Sequence, residues 1–302
     1  MDANIANRVG AQRLHGKLIL AFERLSEGGI ENPRLDAEVL LARCLNMSRE
    51  ELLVAADLPM SPAASSCFET FLQRRLTREP VAYITGTQEF WSLDFTVSGD
   101  VLIPRPDTER LVEIALLWAA RFPPSHALRI VDLCTGSGAV AVSLASELPS
   151  ARIWAADNSA AALAVARVNA AAHHVAATRL ECVIGDLFDA LAPVKNQRLD
   201  LIVSNPPYVR RAEIATLAPE VSRWEPRAAL DGGVDGLDFY RRIIAAAPDY
   251  LAEHGALALE IGVDMAIEVS AIFASTGRYW EIEIFQDYAG RNRVILAQLR
   301  KT

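Results

Sequence analysis

Apolar residues recur at three- and four-residue spacing up to about residue 80, as at Leu14, Leu18, Phe22 and Leu25. That is the period of helices that bury one face. Ser48 followed by Glu51 reads as a capping box, and Ser61-Pro62 as a cap with proline in the first turn. Between residues 83 and 104 the pattern changes: Gly86 and Gly99 bracket Phe90, Trp91, Leu93, Phe95 and Val97, which largely alternate with other residues and predict a hairpin. Beyond it, short apolar runs at 129–133, 153–157, 199–204 and 256–261, and a run ending at Gly185, read as strands. Helical stretches fall at 109–121, 139–148, about 237–253 and 266–275. Segments 279–286 and 294–299 read as a closing antiparallel pair. The alternation predicts an α/β fold with a doubly wound sheet of mixed edge topology. It divides into a helical domain over 1–82, a β-hairpin linker over 83–104 and an α/β domain over 105–302.

With 302 residues, 51% of them apolar, two packed domains are expected. The net charge of -8 argues against gripping duplex nucleic acid through phosphate neutralisation. Within residues 1–86, 10 Lys and Arg stand against 11 Asp and Glu, so the helical domain is not a basic clamp. Cys44, Cys67, Cys134 and Cys182 are scattered without C-x-x-C spacing, signalling neither a zinc site nor a disulfide framework. No metal is expected. The apolar run 18–22 is broken at once by Glu23 and Arg24. Neither a signal peptide nor a membrane span is expected, and the setting is the reducing cytoplasm.

The strand at 129–133 contains Asp132 and runs into Cys134-Thr135-Gly136-Ser137-Gly138 ahead of a helix. Glycines there permit a sharp turn and a close approach of ligand to the helix N-terminus. The segment also fits the relaxed dinucleotide fingerprint, so an NAD-dependent oxidoreductase is a rival at this point. Asp157, 19 residues beyond Gly138, ends the next strand, where an acid accepts ribose hydroxyls in either class. Asp186 and Leu187 follow the strand after that, a carboxylate and an apolar side chain suited to an adenine edge and face. Asp132, Asp157, Asp186 and Asn205 at four strand ends together favour S-adenosylmethionine over NAD.

The run 199–208 ends in Asn205-Pro206-Pro207-Tyr208. Two prolines cannot donate to a sheet ladder, so the strand stops and Asn205 sits at its carboxyl edge, where open α/β sheets bind ligands. The tetrapeptide suits alkylation of an amide or aromatic amine nitrogen, which is planar and barely nucleophilic. The Asn205 side-chain oxygen and the Pro206 carbonyl offer two acceptors for the target NH₂ and favour a nitrogen moving toward tetrahedral geometry. Tyr208 offers a flat face for stacking. Asn205, Pro206 and Tyr208 are the candidate catalytic residues, and with Pro207 they form the candidate substrate grip. An oxidoreductase leaves this tetrapeptide without a job, and a non-catalytic binding module need not keep its residues together. Two loops flank it. Residues 209–233 form a long irregular segment expected to act as a lid or substrate wall. Ile103-Pro104-Arg105-Pro106-Asp107-Thr108-Glu109, taken alone, reads as a stiff proline loop with Asp107 or Thr108 capping the next helix.

These pieces resemble the release factor glutamine methyltransferase family. The resemblance rests on Arg78-Glu79-Pro80, Tyr83-Ile84-x-Gly86, Phe90-Trp91, the 102–109 proline loop, Asp132 to Gly138, Asn205 to Tyr208, Glu225-Pro226, Asp235-Gly236-Leu237 and Asp287-Tyr288-Ala289-Gly290-Arg291. It implies a seven-stranded, Rossmann-like S-adenosylmethionine-dependent methyltransferase acting on the glutamine of the Gly-Gly-Gln motif of peptide-chain release factors, in translation termination. Cys134, Thr135, Gly136, Ser137, Gly138, Asp157, Leu187 and Asn205 would then line the donor, with Asp132 and Asp186 beside them. Cys134 stands where many members have glycine, and Leu187 where an aromatic is often found. A similar family methylates a ribosomal protein and shares the glycine and Asn-Pro-Pro-Tyr pieces; the 105–109 and 287–291 pieces favour release factors. A DNA adenine-N6 methyltransferase faces the same chemical problem but needs a basic recognition surface that this chain lacks. The expected partner is therefore a protein, with no stable nucleic-acid or membrane binding.

Overall fold

The computed structural model describes residues 13–55, 58–194 and 197–300. The chain divides into two compact units, one formed by Met1–Gly86 with Pro219–Trp224 and the other by Thr87–Ala218 with Glu225–Thr302.

The first unit is helical, with α1 (Leu14–Glu27), α2 (Pro33–Leu45), α3 (Arg49–Val54), α4 (Pro62–Leu76) and α5 (Val81–Thr85). Both expected caps form: Ser48 and Glu51 make a reciprocal capping box, and the Ser61 side chain accepts from Ala64 N. Leu14 and Leu25 are buried, whereas Phe22, expected on the same face, is exposed. The core instead closes through Leu40, Leu41, Phe68 and Leu72 of neighbouring helices. Arg75, 6% exposed, is satisfied by Asp36 at 2.7 Å and by Glu220 at 2.9 Å. A buried guanidinium needs such partners. Glu220 thus ties the Pro219–Trp224 segment into the helical unit.

The expected hairpin begins later than its sequence pattern suggested. Tyr83 to Thr85 belong to α5, which stops at Gly86 with φ 78°, and the strands are β1 (Thr87–Phe90) and β2 (Leu93–Thr96). Phe90 and Phe95 pack edge to face and sit in the core of the second unit, so the hairpin is part of that unit and not a free linker.

The second unit continues with α6 (Glu109–Ala119), β3 (Arg129–Leu133), α7 (Ala139–Glu147), β4 (Arg152–Asp157), α8 (Ala160–Ala172), β5 (Leu180–Ile184), β6 (Leu199–Ser204), α9 (Asp238–Ala246), β7 (Leu251–Glu260), α10 (Ala266–Thr276), β8 (Tyr279–Gln286) and β9 (Asn292–Leu299). Among the described residues the sheet has seven strands in the order β5-β4-β3-β6-β7-β9-β8. The first five run parallel, and β9 lies antiparallel between β7 and β8. Alternate strand residues feed two cores. Ile130, Leu201 and Val203 meet α6 and α7, while Val131, Ile202 and Leu257 meet α9 and α10. Both faces are covered, so the strands read as continuous apolar runs.

Two sequence expectations are corrected here. The helix expected over 237–253 ends at Ala246, because the chain tightens into a turn at Ala247–Asp249 around Pro248 and enters β7 at Leu251. Segment 209–233 is not irregular. It carries short helical turns at Ile214–Thr216, Pro219–Ser222 and Arg227–Ala229, and Val209 bridges Asp231 in parallel.

Candidate active site

The chain winds outward from β3 through β4 to β5, then returns to place β6 on the other side of β3. The carboxyl ends of β3 and β6 therefore flank the topological switch point, where such sheets bind ligands. The first of these ends continues into Cys134 to Gly138 and the second into Asn205 to Tyr208. Ser204 Oγ donates to Leu133 O at 2.7 Å and locks the two ends together.

Four contacts fix the glycine turn. Thr135 Oγ1 donates to Asp132 Oδ2 at 2.6 Å, and Thr135 N to Ala156 O at 3.0 Å. Gly136 N donates to Asp157 Oδ2 at 2.9 Å. Asn169 Nδ2, from α8, donates to Ser137 O at 2.8 Å. The same Asn169, fully buried, exchanges bonds with Thr96 N and O and so joins the hairpin to the turn. Gly138 (φ 80°) lies where a Cβ would meet Ala166 Cβ at 3.1 Å, so its absent side chain lets α7 and α8 pack. Gly138 does not line the cleft; its part is close packing.

The cleft is lined by Cys134, Gly136, Asp157, Asp186, Leu187, Asn205 and Pro207 of the expected set. Asp132, Thr135 and Ser137 line an adjoining recess that shares Cys134, Gly136 and Asn205 with it. Tyr208 is held at its hydroxyl, 3.3 Å from Glu260 Oε1, and packs beside the core; Pro206 is buried. Asp157 also accepts from Ser159 N at 2.9 Å, so both its oxygens are oriented by backbone donors. Asp186 pairs with Arg242 at 2.6 Å. Leu187 is buried, with φ 52°. Cys134 has φ 58°, the left-handed region that favours glycine. Burial pushes its thiol far up, and the Asp157 carboxylate adds to the effect, so it lines the cleft as a neutral group.

Further residues join the site. Leu102 and Val101, before the proline loop, and Phe239 of α9 supply apolar wall, as do Pro226, Ala228 and Ala229 from segment 209–233. Arg105 binds both oxygens of buried Glu225, at 2.6 and 2.7 Å, which clamps that segment to the proline loop. Thr108, expected with Asp107 as a capping candidate, stands at the N-cap position of α6 but makes no side-chain capping bond. Thr108 Oγ1 instead accepts from Asn205 Nδ2 at 3.1 Å, leaving Asn205 Oδ1 for a ligand. Asp107 pairs with Arg293 of β9 at 3.0 Å. Arg293 is steadied by Asp287, whose Oδ1 accepts from Ala289 N and Arg291 N.

Behind these groups lies Glu260, at the end of β7 and 1% exposed. Burial raises its carboxyl to about 7, against the pull of the Thr108 hydroxyl, the Arg293 guanidinium and the Tyr208 hydroxyl. Its Oε2 has no hydrogen-bond partner among the described residues. Asp132, also buried, is likewise raised to about 7 by desolvation, opposed by Thr135. Sequence reading missed Glu260, Arg293, Arg105 and the role of Thr108. The one hint was that the family resemblance drew on both the 102–109 and the 287–291 pieces; that they meet is a matter of tertiary structure.

Among the described residues no group of three or more His, Cys, Asp or Glu is placed to hold a metal ion, and no helix is long and apolar enough to cross a membrane.

Comparison with known proteins bears on this arrangement. Residues 18–86 match the PrmC N-terminal domain and residues 114–221 the methyltransferase small domain. A release factor glutamine methyltransferase of Geobacter sulfurreducens is 46% identical over 271 residues, covering 90% of this chain and 91% of that protein. One of Moorella thermoacetica is 46% identical over 281 residues, covering 93% and 96%. Among solved structures, a methyltransferase from Pyrococcus furiosus aligns with a TM-score of 0.50 at 15% identity, over 76% of this chain and 98% of that one. Likeness at that identity bears on the fold alone. With relatives this similar over nearly their whole length, the chain belongs to the release factor glutamine methyltransferase family.

Proposed function

We infer that the protein transfers a methyl group from S-adenosylmethionine to the side-chain N5 of a glutamine in peptide-chain release factors, the glutamine of their Gly-Gly-Gln motif. The observation that carries this reading is Asn205. Its amide nitrogen is occupied by Thr108, so its oxygen is the group available at the switch point of a methyltransferase fold. That the relatives are release factor glutamine methyltransferases agrees with it. Acting on a translation factor would place the protein in the cytoplasm.

The cleft residues fit the donor. Gly136 (φ 56°) lines it, and a Cβ there would have no neighbour within 4 Å, so its missing side chain leaves room for a ligand against the backbone. Asp157, held by two backbone donors, would accept the ribose hydroxyls, and Leu187 with Phe239 would pack on the base. When bound, S-adenosylmethionine supplies an electrophilic methyl on a sulfonium. The rest is done by the chain. Asn205 Oδ1 and the Pro206 carbonyl would accept the two N–H groups of the glutamine amide, favouring a pyramidal nitrogen whose lone pair is no longer delocalised. Tyr208 would lie against the planar amide. The Arg105–Glu225 clamp would keep segment 209–233 closed against water.

A pocket that grips one amide cannot by itself select among cytosolic glutamines. We assign that selection to docking contacts made by the helices before residue 82 and by segment 209–233. The test of function is mass spectrometry of release factors after incubation with the enzyme and isotopically labelled donor. Label on the Gly-Gly-Gln glutamine is expected; label on ribosomal proteins instead would overturn the substrate.

A further inference from the structure

We propose that Glu260 and Thr108 are positioning residues that hold the Asn205 side-chain amide in the one orientation that presents its oxygen to the target nitrogen. The proposal rests on the reading of Asn205 as acceptor and adds the device that sets it.

A hydroxyl has one proton to give. Thr108 Oγ1 accepts from Asn205 Nδ2 at 3.1 Å, so its own proton must go elsewhere, and the Glu260 carboxylate faces it. An ionised carboxylate only accepts. It draws the Thr108 proton toward itself, which turns a Thr108 lone pair to Asn205 and the Asn205 NH₂ to Thr108. Oδ1 is left pointing away. Reversing the amide would set two acceptor oxygens about 3 Å apart with no proton between them, which a buried site disfavours. Glu260 also accepts from Tyr208 Oη at 3.3 Å, so one carboxylate orients two side chains of the Asn-Pro-Pro-Tyr motif.

If Glu260 takes up a proton, the chain can run the other way. Glu260 would donate to Thr108, Thr108 would donate to Asn205 Oδ1, and the amide would present nitrogen to the substrate. Orientation therefore follows the charge on Glu260. The ionisable groups around that carboxyl are Tyr208, Arg293 and Asp107, and the Tyr240 hydroxyl donates to the Glu260 backbone carbonyl. Burial sets the carboxyl near 7, against the Thr108, Arg293 and Tyr208 groups that favour its ionised form, while Asp107 adds to the rise. Its Oε2 is a fully buried acceptor with no hydrogen-bond partner among the described residues, a feature that needs an explanation.

The experiment compares the wild type with Thr108→Val, Thr108→Ser and Glu260→Gln, using an intact release factor and measuring kcat, KM, donor Kd and the pH profile of kcat. Thr108→Val should lower kcat about 30-fold or more with donor Kd little changed, and Thr108→Ser should recover most of that loss. Wild-type kcat should rise with pH through about 7 as one group ionises, and Glu260→Gln should flatten that limb. A kcat near wild type in Thr108→Val, or an unchanged rising limb in Glu260→Gln, overturns the proposal.

A second readout needs no methyl transfer. The Asn205 side-chain NH₂ signals in ¹⁵N NMR of the donor-bound enzyme, identified by their loss in Asn205→Ala, should exchange slowly in wild type and Thr108→Ser and rapidly in Thr108→Val. Equal exchange in all three overturns the positioning role even if the release factor proves not to be the substrate.

Discussion

Asp157 carries two duties with one carboxylate. It orients the glycine turn through Gly136 N and lines the cleft where ribose hydroxyls would lie. Asp157→Ala should weaken S-adenosylmethionine binding by roughly 2–4 kcal/mol, the worth of charge-assisted bonds to two hydroxyls. Titration calorimetry reads this directly, and an unchanged isotherm would remove Asp157 from the site. Asn205 differs in kind, because in the proposed mechanism its oxygen would act on the reacting nitrogen. Asn205→Ala should cut turnover about 100-fold or more while donor affinity stays close to wild type. Near-normal turnover in steady-state assays would sink the amide-activation mechanism. Both residues were legible in the sequence, since each follows a short apolar run whose end is marked by its neighbours. Their partners were not. Nothing in the local pattern around Thr108 says that it meets Asn205, 97 positions away, in place of capping the helix it precedes.

The element that most depends on a distant support is the glycine turn. Asn169 sits near the end of α8, bonded at once to Ser137 O and to both backbone groups of Thr96 in β2. Replacing it by alanine would leave the buried Ser137 carbonyl and the partly buried N–H and carbonyl of Thr96 without this partner. Asn169→Ala should destabilise the fold by about 2–4 kcal/mol, given the cost of unsatisfied buried groups. Donor affinity should fall with it, because the hairpin no longer steadies the turn. Urea denaturation with parallel calorimetry separates the two effects; full stability together with full affinity would show that the turn is fixed without the hairpin. The strands and their order of appearance were readable from apolar runs bounded by glycine and proline. A polar residue near the end of an alanine-rich helix gave no hint that it is a junction.

For the whole molecule, two buried acids tie stability to pH. Desolvation raises Asp132 from 3.8 and Glu260 from 4.5, each to about 7. The folded protein therefore holds protons that the unfolded chain has already released. Their contribution is full below about pH 4, declines as pH rises toward 7 and is gone above it. Each group accounts for roughly 3–4 kcal/mol at most. Urea midpoints at pH 5 and pH 8 should fall less in Asp132→Asn combined with Glu260→Gln than in the wild type; equal falls would mean that neither acid is raised. The ionised Glu260 that the site requires is thus maintained against the preference of the fold. Substrate selection belongs to this scale as well. A short free Gly-Gly-Gln peptide should have a much lower specificity constant than the intact factor, chiefly through KM. Equal constants would show that contacts beyond the pocket contribute nothing.

By itself the sequence determined the period of each segment, the strand ends bearing Asp132, Asp157, Asp186 and Asn205, and the helical character of the described residues before the hairpin. These follow from local rules, because hydrophobic period and proline or glycine punctuation act within a few residues. Only the tertiary structure decided what closes over them. Arg105 reaches Glu225 across 120 positions, and Asp107 reaches Arg293 on the strand inserted between β7 and β8. Cys44 and Cys67, scattered in sequence, face each other between α2 and α4. Pro219–Trp224 packs with helices some 150 positions earlier, through a carboxylate that neutralises Arg75. Buried charge is the reason the ion pairs among these are nonlocal: a side chain carrying it must find its partner wherever the topology brings one, and sequence spacing does not encode that distance.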